Sequence, residues 1–158
     1  MSVTRKYKPR KYYSGLSATK RAKRAREIKR FGSKGWKNAS AYVGFSTDKG
    51  VKTRTSSYVQ TLRRRFRNMG LRDSETRSLR QKSKHTGVPY KILRSVFNRG
   101  MAAWRTGHRP GATEQQWGYA RVASFLTCGK TYLGPDSDLV ALAKRGAAAK
   151  RWWAGCNA

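Results

Sequence analysis

His108, Arg109 and Arg121 lie close in sequence to Thr106 and Thr113. One imidazole, two guanidiniums and two hydroxyls at this spacing suit the capture of an anion, and a helix opening at Thr113 would add backbone N–H donors. The competing reading is that these residues stiffen a loop by hydrogen bonds, with Arg121 packed on Trp117, and it is the stronger of the two. Cys128-Gly-Lys-Thr131 has the ending of a phosphate-binding loop. The glycine required five residues before Gly129 is replaced by Ser124, and the segment follows a helix rather than a strand, so nucleotide binding is excluded there. The seven acidic residues are scattered. They form neither paired carboxylates nor a Ser/His/Asp or Cys/His set at an informative spacing, so no catalytic residue is expected. Cys128 and Cys156 have neither metal-ligand spacing nor a disulfide framework.

A second constellation spans Lys82 to Asn98 and has the pattern of a helix-turn-helix. Ser83 is a small residue four before the turn glycine Gly87, Val88 follows that glycine, and Leu93 and Val96 fall where the second helix would face the first. The segment resembles the lac-type bacterial repressors. That likeness implies that Tyr90, Lys91, Arg94 and Asn98 face the groove, with Arg94 and Asn98 able to read base edges. It departs from the pattern twice: Lys82 stands where an apolar residue is wanted, and Pro89 replaces the usual Ser or Thr. A plain helical hairpin with a glycine stop explains the same spacing.

These residues need helices to position them. Ser17 caps a helix to about Phe31, whose thin stripe is Ala18, Ala22, Ala25, Ile28 and Phe31, with Lys20, Arg21, Lys23 and Arg24 among its outward cations. So thin a stripe implies weak docking, and the segment also matches a basic nuclear-targeting pattern. Residues 32–57 read as loop, anchored by Trp36, Tyr42, Val43 and Phe45, with a short strand near 41–45. A second helix runs from Ser56 or Ser57 to Met69, carrying Arg63 and Arg64 outward, and a third from Ser74 to Lys84. The fourth, 89–106, and the fifth, opened by a Thr113–Gln116 capping box and running to Cys128, hold Trp104 and Trp117 as packing residues. Gly100 and Gly118 mark close helix approach. A sixth helix runs from 136 or 137 to 145, and a tail with Trp152 and Trp153 follows. The fold class expected is mainly α: a small helical domain of five to six short helices, with an extended basic N-terminal arm and long irregular loops. Its divisions are 1–57 (arm, helix and loops), 58–145 (helical core) and 146–158 (tail).

Charge narrows the function. Of 158 residues, 37 are Lys or Arg and 7 are Asp or Glu, a formal net charge of +30. The first seventy residues carry 21 of the basic residues and 2 of the acidic ones. Such a chain repels itself and calls for a polyanionic or acidic partner. Lys20, Arg21, Lys23, Arg24, Arg63, Arg64, Tyr90, Lys91, Arg94 and Asn98 are the candidates for that contact. No secretory signal is evident, and no apolar run approaches the length of a membrane span.

Two longer runs, Gly100 through Thr113 and Gln116 through Val122, with Ser124-Phe-Leu126 and Gly129-Lys-Thr131, carry a further resemblance. So do Tyr13-Ser-Gly-Leu-Ser17, Trp36-Lys-Asn38, Thr47 through Thr53 and Ser56-Ser-Tyr58. Together they resemble a protein family of large algal DNA viruses of the chlorella-virus type, also seen in marine phages. The resemblance implies a non-enzymatic structural protein of the virion, a minor capsid protein made in the host cytoplasm or nucleus. Its partners would be capsid proteins, viral DNA or acidic protein surfaces, with no cofactor, metal or small-molecule substrate. The alternative is a helix-turn-helix or charge-driven DNA-binding or packaging protein.

Overall fold

The computed structural model describes residues 10–32, 34, 37 and 44–157. Among these the chain forms eight α-helices and no strand, so the fold is mainly α. In chain order they are α1 (Ala18–Gly32), α2 (Ser57–Asn68), α3 (Leu79–Thr86), α4 (Tyr90–Trp104), α5 (Glu114–Leu126), α6 (Lys130–Leu133), α7 (Ser137–Ala143) and α8 (Ala147–Ala154). The expected anchors Trp36, Tyr42 and Val43, the strand residues 41–43 and the first nine residues of the arm lie outside the described residues. Residues Arg10–Tyr13 form one 3-10 turn rather than an extended arm.

The chain divides into two compact units that differ from the linear division expected. One comprises Met1–Arg54 with Ala102–Trp117, and the other Thr55–Met101 with Gly118–Ala158. Each draws on two separated stretches, because α4 and α5 each contribute residues to both.

In the first unit, Ile28 and Phe31 of α1 pack with Phe45 and Trp104, and Tyr12, Tyr13 and Trp117 lie against them. The Phe31 and Phe45 rings stack at 4.9 Å. The buried face of α1 is Arg24, Ile28 and Phe31, whereas Ala18 and Ala22 are exposed. Arg24 therefore occupies a core position, and its side chain is 0% exposed. It donates to the Tyr12 carbonyl (3.2 Å), Thr47 Oγ1 (3.0 Å), Asp48 Oδ1 (2.7 Å) and the His108 carbonyl (2.6 Å). Its guanidinium also lies over the Phe45 ring. A buried guanidinium is tolerated only when it is well partnered, and here each of its three nitrogens has at least one acceptor.

Asp48 is the hub of this unit. Besides Arg24, it takes the Gly111 N–H at 3.0 Å and His108 Nε2 at 2.7 Å. The other ring nitrogen of His108 donates to the Trp104 carbonyl at 2.8 Å, and the imidazole stacks on Trp104 at 4.3 Å. Gly111 has φ +85°, and a Cβ there would strike the Val51 carbonyl, so only glycine brings this amide to the carboxylate. Burial pulls the Asp48 carboxyl upward, but His108, Gly111 and Arg24 outweigh it and hold the group below the ordinary aspartate value of 3.8. Its stabilisation is accordingly present above pH 3.8 and is lost as pH falls through the lower, folded value.

The second unit has the larger core: Leu62 and Phe66 of α2, Val88, Leu93 and Val96 around the α3–α4 turn, Val122, Phe125 and Leu126 of α5, Leu139, Val140 and Ala143 of α7, and Ala149, Trp152 and Trp153 of α8. The last two were expected in a tail. They lie on a helix, because Ala147–Ala154 is rich in helix-forming alanine, and their indole N–H groups donate to the Leu126 and Phe125 carbonyls at 2.8 and 3.1 Å. The expected helix from Ser74 starts later. Asp73–Glu75 make a 3-10 turn, and a Ser78–Gln81 capping box opens α3 anew. Gly118 does permit close helix packing: a Cβ there would meet the Phe97 ring of α4 at 2.7 Å. Gly100 is buried as well.

Asp136 is the hub of the second unit. Fully buried, it receives Arg121 through both oxygens at 2.9 Å and Arg99 at 3.0 Å, and Arg99 reaches on to Asp138 at 2.8 Å. The Arg99 guanidinium draws the exposed Asp138 carboxyl down to about 2.

Replacing Asp48 by Asn leaves Arg24 buried without its counter-charge and is expected to destabilise the chain by about 3 kcal/mol in urea unfolding. Asp73→Asn, which removes an exposed partner of Arg67, should leave the midpoint close to that of the parent chain.

Candidate nucleic-acid interface

The segment expected to be a helix-turn-helix is two helices, α3 and α4, joined by a turn at Gly87. Gly87 takes the left-handed conformation at φ +75°, and a Cβ on it would run into Ala148 of α8. The turn therefore requires glycine for two reasons, its dihedral and the close approach of another helix. Ser83 Oγ donates to the Val88 carbonyl at 2.7 Å, and Thr86 Oγ1 accepts the Val88 N–H at 3.2 Å while donating to the Lys82 carbonyl at 2.7 Å. Val88, Leu93 and Val96 are all 0% exposed, as the sequence pattern requires. Pro89 stands just before α4, and its carbonyl accepts the Ile92 and Leu93 amides, so it opens the helix without a side-chain cap.

Lys82, the other departure, is accommodated by hydrogen bonds. Its side chain is buried, and the amine donates to the Thr76 and Arg77 carbonyls, both at 2.7 Å, beneath the Tyr119 ring. Burial, with a smaller effect of Arg63, pushes the amine down to about 8.

Opposite the buried face of α4, Lys91, Arg94, Ser95 and Asn98 are exposed. They recur at helical spacing and form one polar face. Tyr90 at the head of that face is half-buried, with the Arg80 guanidinium 4.4 Å over its ring. Exposed Arg80 and Lys84 on α3 join the candidates here. Arg80 was not legible, because ten residues separate it from Tyr90 and only the folded hairpin brings them together. Arg99 points elsewhere, into Asp136 and Asp138.

The remaining candidates sort by burial. Lys20, Arg21 and Lys23 on α1 and Arg63 and Arg64 on α2 are exposed and available to a polyanion. Lys23, Arg26, Arg30 and Lys34 line an open groove of about 570 Å³ together with Glu27 and Phe31. Arg24 is withdrawn from the list, because every part of its guanidinium is used inside the first unit. The anion pocket proposed on His108, Arg109 and Arg121 is also withdrawn. His108 is 0% exposed with both ring nitrogens engaged, and Arg121 grips Asp136 rather than packing on Trp117. The loop-stiffening alternative holds for His108. Trp104 is buried and donates to the Ala112 carbonyl at 2.8 Å, and Trp117 is half-buried under Lys11. Six of the seven carboxylates are hydrogen-bonded to residues three or more positions away, and Glu114 meets only the adjacent Gln115 at 3.5 Å. Among the described residues no group of three His, Cys, Asp or Glu gathers to hold a metal, and no helix is long and apolar enough to cross a membrane.

Residues 9–140 match the family model described as a family of unknown function, DUF5824. The chain belongs to the DUF5824 family. No curated protein and no solved structure is significantly similar to it. In this DUF5824 chain the matched span contains α3, α4 and both carboxylate hubs, Asp48 and Asp136.

The amine of Lys82 binds its proton less tightly in the folded chain, at about 8, than in the unfolded chain, at 10.5. Between those values the unfolded state holds more protons, so this group favours folding increasingly as pH rises through the window. The parent chain should gain about 3 kcal/mol from this group between pH 8 and 10.5, relative to Lys82→Met measured in parallel by urea unfolding.

Proposed function

We propose that this DUF5824 chain is a non-enzymatic DNA-binding protein that docks the α3–α4 hairpin on duplex DNA, with the outer face of α4 toward the major groove. The observation that carries this reading is the turn itself. Gly87 in the left-handed conformation, buried Val88, Leu93 and Val96, and an outer face of Lys91, Arg94 and Asn98 meet in one hairpin. Arg suits bidentate contact with guanine and Asn with adenine. The exposed cations of α1 and α2 would add phosphate contacts that carry no sequence information but raise affinity and salt dependence. The engagement of six of the seven carboxylates, all but Glu114, by residues three or more positions away supports the non-enzymatic part of the reading.

The second reading is a minor capsid protein of a large DNA virus, bridging capsid proteins and genome. It is supported by the family resemblance and by the exposed cationic faces of α1 and α2, which could meet acidic protein surfaces without any DNA groove.

Selection from a random duplex pool at physiological salt separates the two. On the DNA-binding reading a preferred site emerges, and Arg94→Ala with Asn98→Ala weakens binding to it by about 100-fold while changing random-duplex affinity little. If no site emerges and the double variant binds every duplex like the parent, sequence reading is lost. Stoichiometric recovery of the chain in genome-free capsids would then favour the second reading.

A further inference from the structure

The α3–α4 turn is braced by a third helix that carries charge of its own. A Cβ on Gly87 would lie 2.4 Å from the Ala148 Cβ, so α8 rests directly against the turn. Both belong to the second unit. The inner face of α8 is Ala149, Trp152 and Trp153, which enter that unit's core. Its outer face is Ala147, Ala148, Lys150, Arg151 and Ala154, all exposed. The two cations of that face stand differently toward the turn. At about 100° per residue, Arg151 lies roughly 60° around the helix from Ala148, whereas Lys150 lies roughly 160° away. Arg151 therefore flanks the side of α8 that meets the turn, and Lys150 faces away from it.

We propose that α8 is a third element of the DNA interface, with Arg151 contacting a backbone phosphate at the rim of the groove that α4 would enter. The inference rests on the DNA-binding reading and adds to it a contact outside the α3–α4 hairpin.

The placement follows from how such a hairpin docks. A recognition helix meets base edges through its N-terminal residues, so the turn that precedes it comes close to the sugar-phosphate rim. Here that turn is Gly87 to Pro89, and α8 is seated on it. The neighbours agree in sign: Lys84 of α3, three residues before Gly87, and Lys91 of α4, four residues after it, are both exposed. With Arg151 they bring cations from three helices to one turn. Residues 139–158 contain four basic and no acidic residues, and the last two acids before them, Asp136 and Asp138, are held by Arg121 and Arg99. The charge complementary to this rim is therefore a phosphate's. A phosphate contact positions the protein and carries no base preference, so Arg151 adds affinity and salt dependence without selectivity. Its signature is thereby separate from that of Arg94 and Asn98.

The test is the salt dependence of duplex binding by the full chain between about 50 and 200 mM salt, on the preferred site from the selection or, where none emerges, on random duplex. Each phosphate contact contributes about 0.9 to the slope of log affinity against log salt. Arg151→Ala should lose about 0.9 of that slope, so that over this range its binding weakens about threefold less than the parent's. Its preference among sequences should be unchanged. Lys150→Ala removes the same charge from the same helix and should keep the parent slope, as should Arg151→Lys. Both positions are exposed, so the variants should melt with the parent. The proposal is overturned if Arg151→Ala keeps the parent slope. It is equally overturned if Lys150→Ala lowers the slope as much, since net charge alone then accounts for the effect. A preferred site lost in Arg94→Ala with Asn98→Ala, beside an unchanged slope in Arg151→Ala, sinks this inference and leaves the DNA-binding reading standing. No preferred site, beside a slope lowered only in Arg151→Ala, sinks sequence reading and leaves the α8 contact standing.

Discussion

Two carboxylates, the half-buried Asp48 and the buried Asp136, are the constraint on which the rest of this structure depends. A chain with a net charge of +30 cannot fold by burying apolar surface alone, since each compact unit concentrates like charges. Asp48 gathers Arg24, His108 and the Gly111 amide in one unit. Asp136 gathers Arg121 and Arg99 in the other. In both, one acid is shared by two side chains from distant parts of the sequence, an arginine with His108 at Asp48 and two arginines at Asp136, so these contacts act as long-range ties and not as local helix ornaments. Ion pairs with a member this deeply buried add little over an apolar core of equal volume, yet breaking one is costly. They fix which segments must meet, and the surrounding aromatic and aliphatic side chains supply the favourable burial.

This economy of acids also sorts the cations. Arg24, Arg99 and Arg121 are committed to structure, and Lys82 is turned inward on two carbonyls. Seven acids cannot neutralise 37 lysines and arginines, and six of the seven already serve the fold, so the outer faces of α1, α2, α3 and α4 carry a large excess of positive charge. An external polyanion would relieve the self-repulsion among them, and this is the physical basis for the proposal that the exposed helix faces form an interface. Net charge alone would have treated every arginine alike. Burial separates those that hold the chain together from those that can bind something else.

The parts of the fold legible in the sequence are those set by local rules. The capping box of Thr113 and Gln116 opens α5 as read, with hydrogen bonds of 2.9 and 3.1 Å. Gly87 and the Val88, Leu93 and Val96 pattern placed the turn, because a left-handed glycine between two amphipathic stretches has few other uses. Arg24 was misread because its charge was taken to point outward, although it lies four and seven residues before Ile28 and Phe31 and so shares their buried face. Of the expected stripe Ala18, Ala22, Ala25, Ile28 and Phe31, the last two are buried and the first two exposed, and the third buried residue is an arginine whose partners Asp48 and His108 are 24 and 84 residues away. The same long range hid the true role of Arg121. Trp152 and Trp153 were placed in a tail because a short alanine-rich stretch has no amphipathic signal strong enough to announce a helix. Its stability comes from the core it docks on, and that core lies elsewhere in sequence.

The docking of α8 has a consequence for how the α3–α4 hairpin works. A helix-turn-helix of some twenty residues has too little apolar surface to hold its own angle and depends on further helices behind it. Here Val88, Leu93 and Val96 share one core with Leu126, Ala149, Trp152 and Trp153, and Ala148 rests against Gly87. The α4 face that carries Arg94 and Asn98 is therefore held by residues beyond position 140, where the family match ends. Side chains that read base edges must be held to within a fraction of an ångström by a supporting shell. In this chain that shell is the pair of tryptophans at the end of the core together with Arg65 stacked on one of them. The unit that presents the candidate interface is thus the whole of Thr55–Met101 with Gly118–Ala158, and the hairpin by itself would lack the packing that fixes its angle.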